Sequence, residues 1–143
     1  ICFDNSHRFL HGMQTVETME ATAAQKVREL LRLHIYIATE DFTSVTAFND
    51  EWRHLSEPHL SEFKALRRDY ENRFRVIIEA GIRSGEFKAL DPNLVLYTLF
   101  SSIRWLYDWY RDDKTGRLPQ LEREIIQVVM EGVENRGTEE QKK

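Results

Sequence analysis

The sequence predicts an all-α domain. Three observations carry this: apolar residues recur at three- and four-residue intervals along nearly the whole chain, no segment alternates apolar and polar residues between turn signals, and only 6 glycines and 3 prolines punctuate 143 residues. Hydrophobic residues make up 41% and charged residues 31%, the balance of a chain that buries a core and solvates its outside. The length fits one domain.

The first helix is expected to open at Asn5 or Ser6, whose side chains can cap free N–H groups, and to carry Phe9 or Leu10, Met13 and Val16 on one face. A second starts near Thr22 and ends near Thr39. It turns Val27, Leu30, Leu31, His34, Ile35 and Ala38 inward, with Lys26, Arg28, Glu29 and Arg32 opposite. A third, over 42–55, keeps helical spacing at Phe48, Trp52 and Leu55, although Thr43, Ser44, Val45 and Thr46 lower its propensity. Pro58 then fits the first turn of a long helix capped by Ser56. Its stripe is Phe63, Leu66, Tyr70, Phe74, Ile77, Ile78 and Gly81, and Gly85 stops it after roughly 40 Å at about 1.5 Å per residue.

Asp91-Pro92, a cap followed by a first-turn proline, starts a fifth helix that runs to Arg111. After a turn over 112–117 containing Gly116, a sixth starts at Pro119 and carries Leu121, Ile125, Val128, Val129 and Val133. Residues 135–143 are expected to be a frayed, flexible tail.

Composition excludes several functions. Lys and Arg number 20 against 24 Asp and Glu, a formal charge of −4. Such a chain has no bulk basic field for a phosphate backbone, so DNA binding by this polypeptide alone is not expected. The single Cys2 excludes an internal disulfide and a Cys-rich zinc module, and suits a reducing, cytoplasmic setting. Ser101, Ser102, Arg104 and Asp108 break the most apolar stretch, so no membrane partner is expected. Asp4, His7 and Arg8 interrupt what would be the apolar part of a signal peptide, and the first residue, Ile1, points to a removed upstream segment.

Enzymatic chemistry has little support. The chain has no Gly-rich phosphate loop, no His-Glu-x-x-His and no Gly-x-Ser-x-Gly elbow, so no catalytic residue, cofactor or metal is assigned. The enzyme alternative is a helical metalloprotein using Glu51 and His54, which have Glu-x-x-His spacing, together with His59. It lacks the second copy and the further carboxylates that a di-iron bundle needs. His7 and His11 share a helical face and supply one edge of a zinc site at most. A stand-alone interaction or ligand-carrier module is the other alternative.

The fifth helix shows two apolar faces: Val95, Thr98, Ser102, Trp105, Leu106 and Trp109 on one, Leu96, Leu99, Phe100, Ile103, Tyr107 and Tyr110 on the other. One stripe suffices to cover a core, so the second must meet another surface, and the closing helix offers its own apolar residues as company. Two such pairs form a four-helix bundle across a two-fold axis; a monomer that surrounds this helix is the alternative. Small polar Thr98 and Ser102 beside Trp105 and Trp109 suit a ligand cavity, to which His34, Phe63, Tyr70 and Phe74 would add walls. The same aromatics at the same spacing equally suit a plain core. Arg104 precedes Asp108 by four residues, an intrahelical pairing distance, and its alternative role is an anion anchor, as for Arg67 and Arg68. In the same charged run, Asp69/Arg73 and Glu71/Arg75 are spaced to pair.

Arg68-Asp69-Tyr70-Glu71-Asn72-Arg73-Phe74, Ala80-Gly81-Ile82-Arg83-Ser84-Gly85-Glu86-Phe87, Asp91-Pro92 and Arg104-Trp105-Leu106-Tyr107-Asp108-Trp109-Tyr110-Arg111, in this order and spacing, resemble the ligand-binding domain of TetR-type repressors. Ile1-Cys2-Phe3-Asp4-Asn5 followed by Phe9-Leu10 is similar to the end of that family's helix-turn-helix domain. The resemblance implies a six-helix C-terminal domain over 5–134, a remnant of the helix-turn-helix domain in 1–4, and the tail over 135–143. It implies a non-enzymatic homodimer that senses a small hydrophobic effector, an acyl-CoA in similar members, and controls DNA binding through a helix-turn-helix absent from this chain. His34, Phe63, Tyr70, Phe74, Thr98, Ser102, Trp105 and Trp109 would line the cavity, with Arg67, Arg68 and Arg104 as anion anchors. Leu99, Ile103, Tyr107, Leu121, Ile125 and Val129 would form the dimer seam.

Overall fold

The computed structural model describes residues 2–40, 54–106 and 118–135. They form five helices: α1 (Cys2–Glu17), α2 (Ala23–Glu40), α3 (His59–Ser84), α4 (Pro92–Arg104) and α5 (Leu118–Val133). The domain is all-α as expected. The helix expected over 42–55 falls almost wholly outside the described residues, as do Glu51, Tyr107, Asp108, Trp109 and the tail beyond Asn135.

α1 runs unbroken across the boundary expected between residues 4 and 5, so Asn5 and Ser6 are not its caps. Both are buried inside the helix, where Asn5 Oδ1 accepts from the Arg8 guanidinium at 3.2 Å. Phe9, Met13 and Val16 continue that inward face. α2 opens on a reciprocal cap: the Thr22 N–H donates to Gln25 Oε1 (3.0 Å) and the Gln25 N–H to Thr22 Oγ1 (3.1 Å). Its Val27, Leu30, Leu31, Ile35 and Ala38 enter the core.

Pro58 occupies the N-cap position of α3, one residue before the first turn expected for it. Ser56 contributes its carbonyl, which accepts from the Leu60 N–H at 3.0 Å, and not a side-chain cap. α3 spans 26 residues, buries Phe63, Tyr70, Phe74, Ile77, Ile78 and Gly81, and ends at Gly85 in the left-handed conformation at φ 84°. The fully buried Phe87 then packs back onto Gly81, where a Cβ would stand 2.3 Å from its ring. Glycine at 81 is what permits that approach.

The segment after α3 is clasped to the end of α5. Phe87 and Glu134 form an isolated antiparallel bridge, the Lys88 N–H donates to the Val133 carbonyl (2.8 Å), and the Asn135 N–H to the Glu86 carbonyl (2.8 Å). Asn135 Nδ2 donates to the carbonyls of Gly85 (2.7 Å) and Phe87 (3.0 Å), and Glu134 pairs with Arg28. Asn135, expected in the frayed tail, is therefore fixed. Glu86 ties the same corner to the start of α2. Burial opposes its charge, but the Ala24 N–H (3.2 Å) and the Ser84 hydroxyl (2.9 Å) outweigh that and hold it below the usual carboxylate range.

α4 starts as expected, with Asp91 accepting from the Asn93 N–H at 2.8 Å and Pro92 in the first turn. Its core face is Val95, Leu96, Leu99 and Ile103, followed by Leu106. Leu99 and Ile103, expected in the dimer seam, are each 1% exposed within the single chain. α5 buries Ile126, Met130 and Val133, packs Leu121, Ile125 and Val129 partly against the core, and leaves Val128 75% exposed. Among the described residues no helix is long and apolar enough to cross a membrane.

Candidate functional site

A cavity of about 340 Å³ lies between α1, α2, α3 and α4. Its wall is Ser6 and Phe9 of α1, His34 of α2, Phe63, Leu66, Arg67, Tyr70 and Glu71 of α3, and Tyr97, Phe100, Ser101 and Arg104 of α4. The α4 residues recur at i, i+3, i+4 and i+7, one stripe of the helix; those of α3 recur over two turns in the same manner.

Aromatic rings gather around His34. Its ring lies 4.6 Å from Phe9, 5.3 Å from Phe100, 5.6 Å from Tyr70 and 6.4 Å from Phe74, centre to centre. Tyr70 stacks over Phe100 at 6.2 Å, and Phe74 meets Phe100 edge-on at 5.3 Å. Within this apolar wall His34 Nε2 and Tyr70 Oη are hydrogen-bonded at 2.6 Å. His34 keeps some accessible surface because it lines the cavity, yet burial pushes its pKa down to about 3, so the imidazole is neutral at pH 7.

The rim is charged. Arg67 Nε lies 3.8 Å from Glu71 Oε1, its guanidinium sits 6.0 Å over the Phe63 ring, and the Tyr97 hydroxyl donates to Glu71 Oε2 at 3.3 Å. Arg104 adds a second guanidinium from the last turn of α4. Two cations and one carboxylate thus surround an aromatic chamber, an arrangement able to hold an apolar group inside and an anion at the mouth.

The structure brings together His34, Phe63, Tyr70, Arg67 and Arg104. Phe74 stands behind the wall, fully buried. Thr98, Ser102 and Trp105 lie off it: Thr98 and Trp105 are exposed, and the Ser102 hydroxyl donates back to the Thr98 carbonyl at 2.8 Å. The expected α4 face is therefore displaced by one stripe, since a helix apolar around most of its circumference does not reveal which side meets its neighbours. Arg68 is exposed and not part of the wall, and Trp109 lies outside the described residues. Sequence reasoning missed Ser6, Leu66, Glu71, Tyr97, Phe100 and Ser101, and placed Phe9 only in the core. A signal existed for α4: a rim position for Arg104 puts Ser101, Phe100 and Tyr97 on the same stripe.

Of the expected ion pairs, Asp69 and Arg73 meet at 3.3 Å. Arg73 also holds Glu17 through two bonds, one of 3.0 Å, which joins the end of α1 to α3 and, against burial, keeps the Glu17 carboxyl below its ordinary range. Glu71 and Arg75 do not pair: Glu71 turns to Arg67 and Tyr97, and Arg75 donates to Asn72 (2.7 Å) and Asn93 (2.5 Å). His54, His7 and His11 are exposed, and His59 faces Glu62 at 3.6 Å. Among the described residues no three His, Cys, Asp or Glu side chains gather as a metal site.

A family model described as the tetracyclin repressor-like C-terminal domain matches residues 20–133. No curated protein matches the chain. Among solved structures, the ketosteroid transcriptional regulator KstR2 of Mycobacterium tuberculosis is 18% identical with a TM-score of 0.81, over 90% of this chain and 66% of its own. FadR from Bacillus subtilis in complex with stearoyl-CoA is 23% identical with a TM-score of 0.69, over 90% of this chain and 70% of its own. AibR in complex with isovaleryl coenzyme A and operator DNA is 16% identical with a TM-score of 0.71, over 86% of this chain and 71% of its own. The chain thus spans about two thirds of the length of the structures whose fold it shares.

Proposed function

The chain belongs to the tetracyclin repressor-like C-terminal domain family, and from that premise we propose that it is the effector-sensing and dimerising part of a TetR-type regulator whose cavity takes an acyl-CoA. The observation that carries this reading is the cavity itself, an aromatic chamber with Arg67 and Arg104 at its mouth and α1 forming one wall. Aromatic walls suit an acyl group; guanidinium groups suit the phosphates of coenzyme A. Two structures of the same fold hold acyl-CoA esters, which supports the assignment.

Switching in this reading is thermodynamic, with no chemical step. Ser6 and Phe9 place α1 in contact with whatever fills the cavity. A ligand that fits one position of α1 better than another shifts the balance between them, and a helix-turn-helix outside this chain, in the cytoplasm, reads the change as altered spacing on DNA. The dimer seam is taken by the outward faces, Leu94 and Thr98 of α4 and Trp105 at its end with Leu121, Ile125 and Val128 of α5, in place of Leu99 and Ile103. Leu94 is 62% exposed and Trp105 42%, an apolar surface that a second copy would cover.

Thermal denaturation with isovaleryl-CoA, stearoyl-CoA and coenzyme A alone tests the effector. An acyl-CoA at about 100 times its Kd adds about 2.7 kcal/mol, a rise of roughly 5–10 °C for a domain of this size, and Arg104→Ala diminishes that rise. No rise with any acyl-CoA overturns the assignment. Light scattering tests the seam: wild type has the mass of a dimer and Val128→Glu that of a monomer, whereas an unchanged mass removes this face from the interface.

A further inference from the structure

Four phenylalanines, Phe9, Phe63, Phe74 and Phe100, build or back the cavity wall. Among them stand His34 and Tyr70, joined at 2.6 Å. Packing does not require that pair: two phenylalanines fill similar space without desolvating an imidazole or a hydroxyl. The surrounding groups leave His34 neutral, since the rings of Phe9, Tyr70, Phe74 and Phe100 encircle it and no carboxylate touches it among the described residues. A neutral imidazole offers one donor and one acceptor, and a phenol offers one donor and two lone pairs, so the pair can reorient its protons toward either a hydroxyl or a keto group.

The walls point to a compatible shape. Rings have few torsions, so they form fixed flat faces, and a rigid cyclic ligand loses less conformational freedom against them than a flexible chain does. From the placement of this pair within aromatic walls we propose that His34 and Tyr70 are specificity residues that read a ligand oxygen, and that the cavity prefers a ring-bearing acyl group carrying a hydroxyl or keto oxygen to a straight-chain one. The inference rests on the reading of the cavity as an effector site and names the class of effector. A site that hydrogen-bonds a ligand oxygen discriminates against the analogue lacking it, because its own polar groups are then covered without gain.

Isothermal titration calorimetry with five probes decides the matter: 4-hydroxybenzoyl-CoA, benzoyl-CoA, hexanoyl-CoA, 4-hydroxybenzoate and benzoate. Wild type is expected to bind the hydroxylated ring about three- to ten-fold more tightly than the plain ring, and hexanoyl-CoA weakest. In Tyr70→Phe that ratio falls to about one. Should Tyr70→Phe fail to fold, His34→Phe takes its place with the same expected fall, and a wild-type ratio of about one overturns the inference without either variant. Hexanoyl-CoA binding as tightly as 4-hydroxybenzoyl-CoA, or a ratio unchanged in Tyr70→Phe, overturns the inference and leaves the acyl-CoA sensor standing. Binding of 4-hydroxybenzoate with no CoA ester bound supports the oxygen-reading pair and overturns the acyl-CoA assignment. If none of the five binds, both fall.

Discussion

Acidifying the chain from pH 7 to pH 5 is expected to remove about 2 kcal/mol of stability through His34 alone. Burial among rings holds the native pKa at about 3, against 6.5 for the exposed side chain. Below 6.5 the unfolded chain binds a proton that the folded chain refuses, so stability rises with pH. The contribution is fully present above 6.5 and declines by roughly 1.4 kcal/mol per pH unit as pH falls from there toward 3. Between pH 7 and pH 5 the loss integrates to about 2 kcal/mol, of which roughly a third is lost by pH 6. Glu17 and Glu86 are held below their ordinary value of 4.5, so the stability they contribute is lost only below that value and leaves this window to histidine. Urea unfolding of wild type and His34→Gln at pH 7, 6 and 5, at one protein concentration, isolates the effect. Glutamine removes the titration and still offers Tyr70 a hydrogen-bond partner, and the difference between the two proteins cancels every other group. Equal losses in the two proteins would refute the argument, because they would mean that the folded cavity accepts a proton on His34.

Other perturbations follow from contacts already described. Gly81→Ala gains about 1 kcal/mol of helix propensity but forces a methyl 2.3 Å from the Phe87 ring, an overpacking of about 1–3 kcal/mol; thermal denaturation should show a net fall in Tm. Phe74→Ala empties the centre of the ring cluster and costs about 3–5 kcal/mol in urea unfolding. Asp91→Ala removes the acceptor for the Asn93 N–H and costs about 1 kcal/mol, which Asp91→Asn largely restores.

What the sequence discloses and what it conceals divide along the range of the interactions. The start of α4 and the end of α3 are written in adjacent residues, Asp91-Pro92 and Gly85, because a cap or a left-handed turn is satisfied within a few residues of itself. Asn5 and Ser6 carry the same chemistry and mislead: an amide or hydroxyl that can cap a helix can also be buried within one, and only the neighbouring helices decide. The clasp is invisible for a stricter reason. Asn135 reaches carbonyls 50 and 48 residues earlier, and nothing near it in sequence anticipates them.

α4 is the instructive case. From Leu94 to Leu106 only Thr98, Ser101, Ser102 and Arg104 are polar, so burying almost any side of the helix gains comparable apolar contact, and hydrophobicity alone leaves its rotation undetermined. The structure divides that surface three ways: Val95, Leu96, Leu99 and Ile103 to the core, Tyr97, Phe100, Ser101 and Arg104 to the cavity, and Leu94, Thr98 and Trp105 outward. Arg104 is the residue that breaks the degeneracy. A guanidinium is too costly to desolvate in the core, so the stripe that ends on it must open to solvent. Tyr97, Phe100 and Ser101, one and two turns earlier on that stripe, then face the cavity whose mouth Arg104 marks, and the core and the outward faces are set by what remains.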